Sequence, residues 1–338
     1  MKVVLRWLRV LTNICFFAAI TISTLNYKTS IYLLHQAKGQ LNLLLSTQTL
    51  THFEETRALS LREKENIQLI KEIKNYSVDS LGFTPTKNFT TIYDQKDKPI
   101  LWVITACKPY SLQAFEWAFP LVGKVSYKGF FNKELALKEY NHLVVLGYDT
   151  DLRSVSAWST LGWFNDPILS NMLKRSKGGL CNLLFHELFH ATYYAPNSVD
   201  FNENIASFIA HKATIQFLQK DSIALAEYLS NYNDTKVFSQ YMLRSIERLK
   251  AFYSESRNHP KRSLLKLHCI MQIADSIAKL PLKNKELYLS RKKEIVKSKN
   301  AYFVDFVQYD SMQDSLDKVF NKIYKGNIEK MARDLKVN

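Results

Sequence analysis

The stretch Leu184-Phe185-His186-Glu187-Leu188-Phe189-His190-Ala191, followed by Asn202-Glu203-Asn204-Ile205-Ala206, decides how the chain is read. On a helix, histidines four residues apart rise from one face with their imidazoles about 6 Å from each other, close enough to share one metal ion. With a glutamate after the first histidine, this is the His-Glu-x-x-His arrangement of zinc hydrolases. Glu187 is turned about 100° from His186, toward the rim of such a site, where it can take a proton from a metal-activated water. Leu180, Leu183, Leu184 and Leu188 supply the apolar background of the helix.

Zinc needs a further protein ligand, and the spacing to Glu203 suits one. Pro196, Asn197 and Ser198 mark a turn, so the first helix ends near Tyr193 and a second begins near Asp200, read as its N-cap. Glu203 then sits in the first turn of the second helix, beside the histidines if the two helices pack antiparallel. Asp200 is close enough to compete but serves better as a cap. His211 lies roughly 12 Å further along the helix, too far for zinc–ligand bonds of about 2 Å. Cys181 precedes His186 by five residues, a poorer fit than the histidine pair, and with Cys107 and Cys269 reads as a buried small hydrophobe. The bland alternative for the motif is a set of polar residues lining a helix interface; the carboxylate on the following helix weighs against it.

Three segments resemble a family of bacterial zinc aminopeptidases of the gluzincin type. They are Tyr32-Leu-Leu-His-Gln-Ala-Lys-Gly-Gln-Leu41, Ala157-Trp-Ser-Thr-Leu-Gly-Trp-Phe-Asn-Asp-Pro167, and the block from His186 to Ala206. The resemblance runs to about residue 215, with a weaker match at Asn300-Ala301. It implies a zincin-like fold, one zinc ion held by His186, His190 and Glu203, Glu187 as catalytic base, and a peptide substrate trimmed at its amino terminus. Two departures stand out: Cys15 lacks a small-residue lipobox, and the chain beyond residue 215 is longer than expected.

At 338 residues the chain is long enough for one large domain or two small ones, and 46 % apolar residues exclude global disorder. The formal charge of +15 could point to nucleic acid or an anionic membrane. Its lysines and arginines are dispersed, with no dense cluster interleaved with aromatics and no nucleic-acid-binding signature, so a generic basic surface is favoured and nucleic acid is not expected. Cysteine spacing implies neither a disulfide framework nor a cysteine-rich metal site.

Residues 1–26 carry Lys2, Arg6 and Arg9 and then an apolar run from Val10 to Leu25 without a clean cleavage site. An uncleaved signal anchor is favoured over a cleaved signal peptide or an amphipathic helix. It would make a single-pass inner-membrane protein with residues 27–338 facing the periplasm or exterior. That remainder is expected to be one α+β, mostly helical peptidase domain: helical over 27–80, a small sheet over 88–163, metal-site helices over 180–212, and a helical part over 213–338.

Helices are predicted over Ile31–Leu45 and Arg57–Tyr76, forming an antiparallel pair. A hairpin joins Phe89–Tyr93 to Pro99–Cys107 through the polar turn Asp94–Lys98. Further strands are expected at Phe119–Tyr127, His142–Tyr148 and Val155–Trp163, with a helix over Lys133–Tyr140. Ala157, Ser159, Thr160 and Gly162 are candidates for an edge that pairs with the substrate backbone, though an ordinary edge strand closed by Gly162 would read the same way. Asp166-Pro167 is read as the start of a short helix. Helices then follow over Thr214–Asn231, Thr235–Glu255, Pro260–Leu280, Leu282–Lys299 and Ser311–Val337.

Tyr193, Tyr194 and Tyr309 are candidate donors to an oxyanion. Asn202 or Asp200 could orient an imidazole, and Glu134, Glu139 and Asp166 are nominated to capture a substrate amine. A non-catalytic zinc-binding envelope protein, a zinc endopeptidase, and a zinc hydrolase of another bond are the competing readings, since ligands alone do not select a substrate. Nothing in the sequence fixes the oligomeric state.

Overall fold

A computed structural model describes residues 27–119, 123–155, 165–196, 198–304, 306 and 312–337. The described chain is mostly helical α+β with small sheets. In order it runs α1 (Tyr27–Leu45), β1 (Thr47–Thr49), α2 (Leu50–Thr56), α3 (Leu61–Asp79), β2 (Thr91–Tyr93), β3 (Leu101–Cys107), β4 (Trp117–Phe119), β5 (Gly123–Val125) and β6 (Lys128–Phe130). Then come α4 (Lys133–Val145), β7 (Asp149–Val155), β8 (Ile168–Leu169), a 3-10 turn (Ser170–Lys174), α5 (Lys177–His190), α6 (Val199–Leu218) and α7 (Ser222–Glu255). The last helices are α8 (Arg262–Ser276), α9 (Lys285–Leu289), α10 (Lys292–Ser298), α11 (Asn300–Val304), α12 (Gln313–Lys322) and α13 (Ile328–Val337).

Helix α5 is the hub of the largest core. Its Leu180, Leu184, Phe185, Leu188 and Phe189 are buried with Ile67, Ile70 and Ile73 of α3 and Ile205 and Ile209 of α6. Burying each such side chain contributes roughly 1.5–3 kcal/mol, which seats the helix on both sides. Ser176 caps its start by accepting from Gly179 N–H. Gly178 lets α7 come close, because a Cβ there would lie 2.5 Å from Tyr228 Cβ. Helix α3 begins with a capping box in which Ser60 and Glu63 bond each other's backbone N–H. Its Asn66 donates to the carbonyls of Leu173 and Arg175, which ties it to the entry of α5.

Several expectations need correction. The two strands expected to form a hairpin across Asp94–Lys98 belong to different sheets. Strand β2 pairs antiparallel with β1 and parallel with β8, whereas β3 lies between β6 and β7, both antiparallel to it. The polar turn makes cross-links instead: Asp94 binds Arg57, Gln95 N–H donates to Ser170 Oγ at 2.9 Å, and Gln95 Oε1 accepts from Asn171 N–H at 3.0 Å. The strand expected over His142–Tyr148 is the end of α4, closed by Gly147 at φ 82° with Tyr148 N–H on Leu143 O and Gly147 N–H on Val144 O. In the run expected as one strand over Phe119–Tyr127, Phe119 ends β4 and Gly123–Val125 is its antiparallel partner β5, with residues 120–122 outside the described residues. Asp166-Pro167 leads into β8, not a helix.

Helix α3 packs on α5, while α1 lies against β4–β6. There Tyr32 donates to Gly129 O at 2.8 Å, and a Cβ on Gly39 would meet the Phe131 ring at 2.3 Å. Helix α7 runs unbroken where two helices were expected; the carboxylate of Asp234, within it, accepts from the N–H groups of Lys283 and Asn284. The single helices expected over Leu282–Lys299 and Ser311–Val337 are divided, with Lys299 at φ 50° and Gly326 at φ 76° among the connections.

The localisation also needs correction. Among the described residues no helix is long and apolar enough to cross a membrane, so a single-pass inner-membrane protein is not supported. The expected anchor, residues 1–26, falls outside the described residues.

A second core joins α7 to α8, α10 and α11 through Phe238, Met242, Ile246, Leu249, Ile270, Ile295 and Phe303. Between this core and the β3–β7 sheet lies a buried polar joint centred on Asn300, which is 0 % exposed. Its side-chain amide donates to Pro109 O at 3.1 Å and Ser111 O at 3.0 Å, its Oδ1 accepts from Tyr253 at 2.5 Å, and its N–H donates to Asp149 at 3.2 Å. Asp149 also binds Lys266, whose ammonium donates to Pro109 O as well. Every polar group of Asn300's side chain is thus used, which gives the Asn300-Ala301 pair a structural role.

A candidate metal centre in the helical hairpin

Helices α5 and α6 fold back on each other across the short connection 191–198. Asn202, 1 % exposed, fixes that connection: its amide accepts from Ala195 N–H and donates to Ala195 O, both at 2.8 Å. Helix α6 starts at Val199, so Asp200 lies in its first turn and is not its N-cap; its carbonyl accepts from Asn204 Nδ2 at 2.8 Å. This start places Glu203 on the face turned to α5.

The hairpin brings His186, His190 and Glu203 together. Taking one donor atom from each, all lie within 4.8 Å of one another, and the set could hold a metal ion. The two imidazole Nε2 atoms are 3.1 Å apart. The carboxylate straddles them, with Oε2 at 3.2 Å from His186 Nε2 and Oε1 at 3.4 Å from His190 Nε2. A tetrahedral cation with bonds of about 2.0–2.1 Å sets its ligand atoms roughly 3.3–3.4 Å apart, so the donor spacing fits such an ion.

Electrostatics favour the same use. Burial, then the neighbouring His186 ring, lowers the His190 pKa to about 4 against the opposing pull of Glu203, so His190 is a neutral ring at pH 7. Burial alone would raise the Glu203 pKa, but its hydrogen bond to His186 and its electrostatic coupling to the two rings outweigh burial and lower it. Neutral imidazole and ionised carboxylate are the protonation states that bind metal. Glu187 is half-buried on the same helix.

The other nominated residues are distributed as follows. Tyr193 is half-buried, its ring 6.1 Å from Phe201, and Tyr194 is 45 % exposed. Neither Asn202 nor Asp200 orients an imidazole; Ser207, one turn after Glu203, has its Oγ 3.3 Å from His186 Nδ1. Glu139 accepts from Trp117 Nε1 at 2.8 Å and Lys128 Nζ at 3.1 Å, so its carboxylate is engaged in holding β4 and β6. Glu134 is exposed in the first turn of α4, and Asp166 is buried where its backbone bonds Asn88 and Phe89. Cys181 is buried with its thiol pKa pushed up to about 12, mainly by desolvation, and His211 bonds Tyr228 at 2.9 Å and stacks on Tyr232. Ala157, Ser159, Thr160, Gly162 and Tyr309 lie outside the described residues.

Sequence reasoning missed Ser207 and Tyr127. The serine had a usable signal, because Glu203 and Ser207 are four apart and share a helix face. Tyr127, on the turn between β5 and β6, has its phenol pKa raised, first by burial and then by the Glu203 carboxylate. Since the residue is 55 % exposed, the second cause is the informative one: it puts the phenol in the field of the site. No local pattern announces that proximity, because a sheet hairpin and a helix 76 residues later create it. A cavity of about 730 Å³, lined by Lys108, Ser111, Gln113, Phe115, Ser126 and Tyr148 among others, shares this turn but not the histidines.

Neither a curated protein nor a solved structure matches the chain. A family model described as "putative aminopeptidase" matches residues 31–336, a span that holds the helical hairpin, the small sheets and the C-terminal helices. With nearly its whole length inside that match, the chain belongs to this aminopeptidase family.

Proposed function

We propose that the protein is a zinc-dependent peptidase of zincin-like fold, with residues 27–338 as its catalytic unit, acting as an aminopeptidase. The observation that carries the reading is the convergence of two imidazole nitrogens and a carboxylate at 3.1–3.4 Å, together with the family match. His186, His190 and Glu203 would hold the ion. When bound, zinc supplies a Lewis acid that polarises the scissile carbonyl and acidifies the attacking water. Glu187 takes that water's proton and returns it to the leaving amine nitrogen. Tyr127, whose phenol feels the Glu203 carboxylate, is proposed as the donor to the developing oxyanion. Ala157, Ser159, Thr160 and Gly162 are proposed to contact the peptide substrate.

The test is cleavage of matched peptides with free and acetylated amino termini, with metal content measured in parallel. The expected result is one zinc per chain, cleavage of the free-amine peptide, and protection by acetylation. Glu187→Gln should keep zinc and lose at least about 100-fold in kcat. Full turnover by that variant would overturn the mechanism. Equal cleavage of both peptides would replace aminopeptidase by endopeptidase.

A further inference from the structure

His186 is gripped at both ring nitrogens by one helix: Glu203 Oε2 is 3.2 Å from its Nε2 and Ser207 Oγ is 3.3 Å from its Nδ1. Glu203 and Ser207 stand one turn apart on α6, so a single rigid element sets both contacts. The two contacts make different demands on the ring proton. A carboxylate only accepts, so it favours the tautomer with the proton on Nε2. A cation needs the Nε2 lone pair, so it requires the proton on Nδ1. Whatever faces Nδ1 must therefore donate in one state and accept in the other. A backbone carbonyl or a carboxylate cannot do both; a hydroxyl can.

We propose that Ser207 is the positioning residue of His186, a two-way hydrogen-bond partner that serves both tautomers. Without a cation, Ser207 O–H donates to Nδ1 while Nε2–H is given to Glu203. With a cation, Nδ1–H donates to Ser207 Oγ and the Nε2 lone pair is released to the ion. The change is one of tautomer: one proton leaves Nε2 for solvent and one is taken up at Nδ1, with no net proton exchanged at this residue. The ring need not turn, because the serine hydrogen swings instead. The companion ring is built differently, since His190 Nδ1 is buried with no partner among the described residues, so this control acts on His186 alone.

This inference rests on the metal-centre reading, and the experiment separates the two. Zinc affinity is measured by chelator competition on the full chain for the wild type, S207A and S207T. The tautomer of His186 is read by nitrogen-15 NMR, with and without zinc. The expected result is about tenfold weaker zinc binding in S207A, at the lower end of the effect of removing a group that orients a ligand, with near wild-type affinity in S207T, which restores the hydroxyl. In the wild type the proton should move from Nε2 to Nδ1 on zinc addition, and in S207A the metal-free preference for Nε2–H should weaken. S207A binding zinc as tightly as wild type, with unchanged tautomers, overturns the role of the serine alone. A wild-type protein that takes up no zinc overturns the metal centre and this proposal with it.

Discussion

Gly178 offers a test of how the metal helix is seated. It is the second residue of α5, and Gly178→Ala would put a methyl carbon 2.5 Å from Tyr228 Cβ and 3.0 Å from two ring carbons. Carbon atoms prefer about 3.5–4.0 Å, so α5 and α7 must separate by roughly 1 Å. Tyr228, 7 % exposed, cannot swing clear, because its hydroxyl accepts from Asn182 at 3.1 Å and pairs with His211 at 2.9 Å. Overpacking of this kind costs about 1–3 kcal/mol. The helix-propensity gain of Gly→Ala is about 1 kcal/mol in a helix interior and smaller in a first turn. The net expectation is a loss of about 2 kcal/mol, read as a lower urea midpoint with unchanged slope. Gly179→Ala is the matched control: its methyl meets only Ser176 Oγ, at 3.2 Å, and the change should stay within about 0.5 kcal/mol. Adding Tyr228→Gly, which removes the Cβ as well as the ring, should relieve the clash and make the two changes strongly non-additive. A midpoint for Gly178→Ala equal to or above wild type would refute the argument that close helix approach, not chance, put glycine there.

Four further outcomes are expected. Zinc at 100 times its dissociation constant should raise unfolding free energy by about 2.7 kcal/mol, and a chelator should reverse the gain; a denaturation midpoint indifferent to zinc would contradict a folded-state site. Glu203→Ala should abolish stoichiometric zinc while leaving far-ultraviolet circular dichroism unchanged, which metal analysis of the purified variant checks. Lys266→Met should cost about 3 kcal/mol, because it takes from the buried Asp149 the cation in direct contact with it and leaves only Lys299, 4.0 Å away and half-exposed, and urea unfolding reads the loss. For pH, burial and then Lys212 and Lys236 lower the His211 pKa to about 4, against the opposing charge of Asp317. The unfolded chain, near 6.5, therefore binds the extra proton first, and stability falls as pH drops from 6.5 toward 4. Part-exposure of the ring limits the effect to an order of 2 kcal/mol. His211→Gln should flatten that part of the curve, and an unchanged acid limb would remove His211 as its source.

The convergence of His186, His190 and Glu203 was legible because it depends on local geometry. Helical spacing places His186 beside His190, and a proline-containing turn returns the chain so that Glu203 faces them. The sheets were not legible to the same degree. β-rich runs mark Phe89–Tyr93 and Pro99–Cys107 as strands, but their partners lie far along the chain, and the nearest candidate turn misled. Stop signals were readable yet underused: Gly147 ends α4 by adopting a left-handed backbone, and Ser60 with Glu63 announces the start of α3. Asp234 shows the reverse error. The expected helices stop at Asn231 and resume at Thr235, whereas the Asp234 carboxylate serves two backbone N–H groups of a distant segment and α7 passes straight through.

The joint at Asn300 has a consequence for biogenesis. During translation the histidine-bearing hairpin leaves the ribosome about a hundred residues before the asparagine that latches Pro109 and Ser111. A nascent chain therefore has His186, His190 and Glu203 in hand while the 109–111 loop, which Lys266 also holds at Pro109, still lacks the two donors that only the asparagine supplies. Premature termination upstream of that residue would leave the 109–111 loop, and with it part of the wall of the neighbouring cavity, without those two donors.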